Sequence, residues 1–458
     1  MIYSKKKRDI NMNDMTSGNI MKQLLYFMFP IFLGNLFQNL YSIVDTMIVG
    51  QYLGVNALAA VGTVGPIMFL ITASVQGLTS GFGLSIAQAY GSKEDKKLKN
   101  YVAISYFLCA CIVIVFMGSL LLGNMTLLNI INTPEEIIEQ THSYITVIYI
   151  GLPAIILYNM EAAIARALGD SKTPLYFLIL SSIINVCLDL YLIGVCSLGV
   201  AGAAYATIIS QGISGALCFV YVYKKYNIIH FKKDDAKIRP NTCVKLLGLG
   251  VPMALQYSII SLGGLIIQSA LNQLGATSIA AMSTYYKLEV IVNQSYMSLG
   301  PVVANFVGQN FGARQMDRVK KGVRYAAIMA EMICVVVMLI SYFISPKCIV
   351  LFVENPSTEL IEKVTLTFHT LLWLYPVHAL VIVYCNALQG LGKGIVTMIS
   401  GVGELIARTL AALLLFPTLQ YLGVCLAEPL AWCFALMVVC PCWIYYRRKI
   451  LNVNILCR

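Results

Sequence analysis

Charge is what this sequence is short of. Aspartate, glutamate, lysine and arginine make up only 12% of the 458 residues, where a soluble domain carries about 25%. With 59% hydrophobic residues, the chain has too little polar surface to cover a water-soluble fold, and that class is excluded. Histidine is scarce too. His142, His230, His369 and His378 form no group with metal-ligand spacing, so no metal centre is expected. The cysteines of "CAC" (109–111) and "CPC" (440–442) lack the spacing of a zinc or redox pair, and most others fall inside apolar runs, where they serve as small filler. No nucleophile stands beside a base in any motif, which argues against a membrane-embedded enzyme. The basic N-terminus is not followed by a small-residue cleavage site, so the first apolar run reads as a span and not as a removed leader.

Long hydrophobic runs are abundant. Crossing a bilayer takes about 20 apolar residues in a helix, and twelve runs near that length are present: 22–50, 57–89, 100–124, 137–166, 173–194, 198–223, 245–273, 277–310, 322–345, 359–390, 395–416 and 422–446. An all-α polytopic membrane protein follows. Lysine and arginine then orient it. "KKKR" (5–8), "KEDKKLK" (93–99), Lys172, the 224–239 segment, "ARQMDRVKKGVR" (313–324), Lys393 and "RRK" (447–449) all fall in one set of connections. The opposite set holds Lys347 and Lys363 among several glutamates, including Glu354. Positive residues stay in the cytoplasm, so both termini and the 224–244 connection are expected there. The net charge of +11 is thereby assigned to topology and anionic lipid headgroups, and no nucleic-acid partner is expected.

The sequence repeats itself. "FPIFLGNLFQNLYS" (29–42) resembles "VPMALQYSIISLGG" (251–264), with Pro252 falling where Pro30 does. "YLGVNALAAV" (52–61) matches "QLGATSIAAM" (273–282), and "AQAYGSKEDKKLKN" (87–100) matches "GQNFGARQMDRVKK" (308–321), both at nearly the same offset. "ARALGDSKTP" (165–174) matches "NALQGLGKGI" (386–395), and "LGVAGAAYA" (198–206) matches "LGVCLAEPLA" (422–430). Five ordered matches at one near-constant offset define two six-helix lobes, 22–223 and 245–446. A cytoplasmic tail (1–21), a basic linker (224–244) and a second tail (447–458) complete the division. An even number of spans sends both lobes into the bilayer in the same direction, so a pseudo-two-fold axis along the membrane normal and a cavity between the lobes are expected.

The few polar residues inside spans carry the chemistry. An intramembrane carboxylate costs about 2.5–3.5 kcal/mol on insertion scales and is a functional candidate by default. Asp45 and Asp189 each precede a glycine by five residues at the end of spans 1 and 5, which puts them at similar depth. Asn185 lies one turn from Asp189 on the same helical face, and Thr207 of span 6 reaches a comparable level. Two carboxylates, an amide and a hydroxyl suit a hard cation or a shared proton. The opposing reading is that Asp189 only caps a neighbour or bonds Asn185. In the second lobe, Glu404 and Arg408 are four apart and are read as a structural ion pair, while Lys287 and Glu289 are candidates for lining the cavity. Glu161 and Arg166 are placed where their side chains can snorkel to the cytoplasmic interface. Pro30 and Pro252, each within a span, permit helix bending, and "GLTSGFG" (77–83) permits close helix approach.

Six motifs, "QNLYSIVDTMIVG" (38–50), "ALGDSKTP" (167–174), "INVCLDLYLI" (184–193), "GVAGAAYAT" (199–207), "FVGQNFGA" (306–313) and "GVCLAEPLAW" (423–432), resemble the multidrug and toxic compound extrusion (MATE) family over nearly the whole chain. The resemblance implies a cation-coupled antiporter, driven by Na⁺ or H⁺, that exports organic cations and amphipathic compounds by alternating access. It implies no other cofactor. It places the protein in the inner membrane of a prokaryote, as a monomer among lipids. In the prokaryotic DinF-like branch, a first-lobe cation site matches Asp45, Asn185, Asp189 and Thr207. Cavity positions match Gln38, Tyr144 and Asn159, and the bending proline matches Pro30. Another branch uses acids in spans 7 and 10, but span 7 here has Gln256 and no acid. The rival within the same superfamily is a lipid-linked oligosaccharide flippase, which would favour a strongly cationic cavity.

Overall fold

The computed structural model describes residues 14–131, 133–348 and 356–456, nearly all of them helical. The N-terminal "KKKR" and Glu354 lie outside the described residues. The helices are α1 (Ile20–Gly91), α2 (Asp95–Ile130), α3 (Glu135–Ile150), α4 (Leu152–Ala167), α5 (Lys172–Asp189), α6 (Gly199–Lys225), α7 (Pro240–Asn272), α8 (Ala276–Met297), α9 (Leu299–Gly312), α10 (Met316–Cys348), α11 (Thr358–Leu372), α12 (Tyr375–Gly390), α13 (Gly394–Leu410), α14 (Phe416–Leu419) and α15 (Tyr421–Leu456).

Each of the twelve expected intervals is helical. Among the described residues, eight helices are long and apolar enough to cross a membrane singly, and α3/α4 and α11/α12 each make one span bent by 47° and 48°. The eleventh comes from α1, whose 72 residues would run about 108 Å if straight, far beyond a bilayer core of about 30 Å. The chain breaks instead at Gly54, with φ 81° and ψ −171°, a conformation open in practice only to glycine. This break separates the first two spans. The helices α8 and α9 cover the remaining expected interval, 277–310.

Backbone conformation repeats with the sequence. Gly275, the repeat partner of Gly54, has φ 79° and ψ 176° before α8. Left-handed residues recur in the same register: Lys93 with Arg314, Gly169 with Gly392, and Ser197 with Gln420. Both halves also carry a π-helical turn in the equivalent place, Leu190–Val195 after α5 and Ala411–Leu415 after α13. The two halves are therefore one six-segment design used twice. Asp170 gives "ALGDSKTP" a physical role: its carboxylate accepts from the backbone N–H of Lys172 and Thr173 at the start of α5, both at 3.0 Å.

Two large apolar cores result among the described residues, with two small clusters beside them, and two helices change sides between the large ones. Leu24 and Phe27 of α1 lie in the core of the second half, whereas Ile48 and Val49 of the same helix lie in the core of the first. Leu246 of α7, the counterpart of Leu24, lies in the first core, and Ile267 of α7 in the second. The crossing depends on small residues. A Cβ at Gly77 or Gly81 would sit 2.6 Å from the backbone of Ala254 and 2.5 Å from that of Gly250 in α7, so helix axes approach there as "GLTSGFG" allows.

Candidate functional site

Four segments converge on the acids of the first half. Asp45 comes from the first arm of α1, and Asp189 closes the α-helical part of α5 where the π turn begins. A π turn widens the backbone locally and often marks a functional position. Asn185 stands one turn before Asp189, and its Nδ2 lies 3.4 Å from Oγ1 of Thr207 in α6. The Asp45 and Asp189 carboxyl groups lie near enough to feel each other's charge. Tyr41 and Tyr144, the latter from α3, stand close to both acids.

The site is largely buried and, among the described residues, short of donors. Asp189 is 0% exposed and Asn185 2%. Both carboxylate oxygens of Asp189, Oδ1 of Asp45 and Oδ1 of Asn185 have no hydrogen-bond donor among the described residues. Buried polar atoms are almost always paired, and each exception calls for an explanation. Two facing carboxylates cannot both remain charged here without a cation or a proton between them. The all-oxygen set fits either. A polar seam continues from the site through Ser181, Ser182, Ser210 and Gln211.

Three positions matched to cavity residues fall differently. Tyr144 is buried at 7% exposure against the acids, Gln38 is exposed, and the Asn159 amide donates back to the Ile155 carbonyl of its own helix at 2.8 Å. Pro30 lies within α1 and Pro252 within α7.

The second half is wired otherwise. Arg408 and Glu404 meet at 3.4 Å within α13, as their spacing predicts. Arg408 also makes a two-pronged contact with Glu428 of α15, Nη2 at 2.8 Å and Nε at 3.1 Å. That partner was invisible in sequence because it lies on another helix. Glu289 accepts from Nδ2 of Asn293 at 2.8 Å, and Lys287 is exposed. The hydroxyl of Tyr296 lies 3.0 Å from Nδ1 of His378, whose ring stacks on Trp432 at 4.5 Å. The repeat partner of Asp189 is Leu410, which precedes the second π turn without an acid.

One expectation is corrected. Glu161 does not snorkel; it is 0% exposed, and Tyr106 of α2 donates to its Oε1 at 2.5 Å. A helical register that turns inward toward α2 overrides its place near the helix end.

A polytopic bundle of two repeated halves, with an orphaned all-oxygen site inside one of them, is the architecture of a membrane transporter. The model of the MatE family matches residues 30–191 and 252–414, well over half of the chain, and the protein belongs to this family of transporters; it is not an enzyme. It is 31% identical to the "Probable multidrug resistance protein YoeA" of Bacillus subtilis over 74% of this chain and 75% of that one. It is 24% identical to the "Multidrug export protein MepA" of Staphylococcus haemolyticus over 76% and 78% of the two chains. Among solved structures, "Outward-facing conformation of a multidrug resistance MATE family transporter of the MOP superfamily" superposes with a TM-score of 0.88 at 21% identity, covering 96% of this chain and 98% of that one. That likeness establishes the fold.

Proposed function

We propose that this transporter is a cation-coupled antiporter that exports organic cations and other amphipathic compounds, and that Asp45, Asn185, Asp189 and Thr207 hold the coupling ion. The observation that carries the reading is the set of four buried oxygens between α1 and α5 to which no described residue donates. Na⁺ would be held by those oxygens directly; a proton would be shared between the two carboxyl groups. The relatives named for multidrug resistance or export support the substrate class. The scarcity of charge in the spans supports it too, since bulky lipophilic cations need adaptable apolar walls with few polar anchors.

Coupling follows from the path of α1. Its beginning belongs to the core of the second half and its middle, next to Asp45, to that of the first. An ion bridging Asp45 to Asp189 fixes the outer part of α1 against α5. Its loss frees α1 to move relative to the first half, with Pro30 as a built-in bending point. A ligand shifts a conformational equilibrium only through unequal affinity for the two states, and a site shared by two moving helices has that property.

The positive-inside pattern supports cytoplasmic termini, and the lobes 22–223 and 245–446 with the 224–244 linker are the units we expect to rock, in a monomer surrounded by lipid. The flippase alternative is not favoured: Arg408, a buried cation of the second half, is already neutralised by two glutamates and is not open to a pyrophosphate. Reconstituted vesicles carrying a fluorescent organic cation test the proposal, with Na⁺ and proton gradients imposed separately. Efflux driven by one of them is expected. Efflux indifferent to both would refute coupling.

A further inference from the structure

The sequence pair "AQAYG" (87–91) and "GQNFG" (308–312) shares a glutamine followed one turn later by a glycine, and the ion site leaves it unexplained. In the structure both copies face the opposite half. Nε2 of Gln88 donates to the carbonyl of Gly390 at 2.9 Å, and Nε2 of Gln309 donates to the carbonyl of Ala167 at 2.8 Å. Gln309 is the repeat partner of Gln88, and Gly390 is that of Ala167, so the repeat turns one bond into the other. Ala167 and Gly390 are the last residues of α4 and α12, whose final carbonyls have no partner inside their own helix. Each glutamine thus closes the negative end of a helix that belongs to the other half.

The glycines are matched in the same way. A Cβ at Gly91 would lie 1.9 Å from the carbonyl oxygen of Gln309, and one at Gly312 would lie 2.0 Å from that of Gln88. The obstacles are backbone atoms, so nothing can swing aside. Glycine lets the halves approach, and the glutamine beside it fastens them. Both ends of this arrangement sit next to the basic loops that begin at Lys93 and Arg314.

We propose that Gln88 and Gln309 are paired gate residues that hold the two halves together on this face and release together when the transporter opens there. The inference rests on the alternating-access reading but not on where the ion binds. Opening would expose the glutamine amides and the helix-end carbonyls to water, which pairs with both, so the contact is reversible. The two latches are not equally guarded. Oε1 of Gln309 accepts the backbone N–H of Met15 at 3.1 Å, and Asn310 and Arg318 both donate to the Met15 carbonyl. A strap at the N-terminal end therefore covers the Gln309 side.

Spin labels at Lys96→Cys and Asp317→Cys, a repeat-related exposed pair on this face, read the gap by pulsed dipolar spectroscopy. The background is a transport-competent version with its own cysteines replaced. Each latch is worth about fivefold in the closed-to-open ratio, so Gln88→Ala with Gln309→Ala should shift it roughly 25-fold toward the longer distance. A second label pair at Val55→Cys and Ala276→Cys, at the far end of the same arms, should shorten in step; general loosening would lengthen both. Gly91→Ala with Gly312→Ala should open this face without touching the glutamines, and carries the test if the first variant does not fold. No ion gradient or drug is needed, so failure of the proposed ion site would leave this result intact. Distances equal to the parent protein in either folded double variant would overturn the proposal, as would lengthening at both ends.

Discussion

At the scale of single residues, the Asp45–Asp189 pair and the Glu404–Arg408–Glu428 triad treat charge in opposite ways. Among the described residues, Asp189 and Asp45 form no ion pair with a protein cation, whereas Glu404 and Glu428 are both bound by Arg408. The first arrangement leaves an opening for an exogenous cation or proton; the second is filled from within. Removing Arg408 should therefore be costly. Breaking a buried pair leaves charge uncompensated, typically at about 3–5 kcal/mol, so Arg408→Met should markedly lower the melting temperature in detergent. Adding Glu404→Gln and Glu428→Gln should restore most of it. If Arg408→Met alone melts like the parent, the triad is not structural. The Glu404–Arg408 pair was legible because both partners lie on one helix, four residues apart. Glu428 and the Tyr106 partner of Glu161 were not, because sequence spacing reports a helical face but not which neighbouring helix covers it.

At the scale of elements, span boundaries were readable wherever a hydrophobic run ended in charge or in a glycine with a special backbone. The fold-back at Gly54 is such a place. Its φ of 81° lies where a side chain costs about 1–3 kcal/mol, yet a Cβ there would meet no atom within 4 Å. Gly54→Ala should consequently lose stability through backbone conformation alone, and Gly275→Ala, its repeat partner, should lose a similar amount. Gly62 supplies the contrast, being helical and equally unobstructed; Gly62→Ala should be neutral or stabilising. Thermal unfolding of the three variants checks this, and equal effects at Gly54 and Gly62 would contradict it. The π turns were not legible, since their residues continue an ordinary apolar helical pattern and only the backbone reveals the wider turn.

At the scale of the molecule, the repeat in the sequence carried most of the architecture. A constant offset gave two halves and their parallel entry into the bilayer, and left-handed residues fall on the same register. The exchange of α1 and α7 between the two cores did not show in the sequence. Apolar residues mark that a helix is buried but not in which core, and in the proposed mechanism this exchange ties Asp45 and Asp189 to the motion of the whole. The proposed coupling rests on that tie. The measurement that tests it most directly is gradient-driven efflux from reconstituted vesicles for Asp45→Asn and Asp189→Asn, normalised to folded protein in the membrane. Both substitutions remove buried charge and so should insert and fold as the parent does. Each is predicted to abolish exchange of drug for ion. Coupled efflux near the parent rate in both variants would contradict the account and return Asp45 and Asp189 to a packing role.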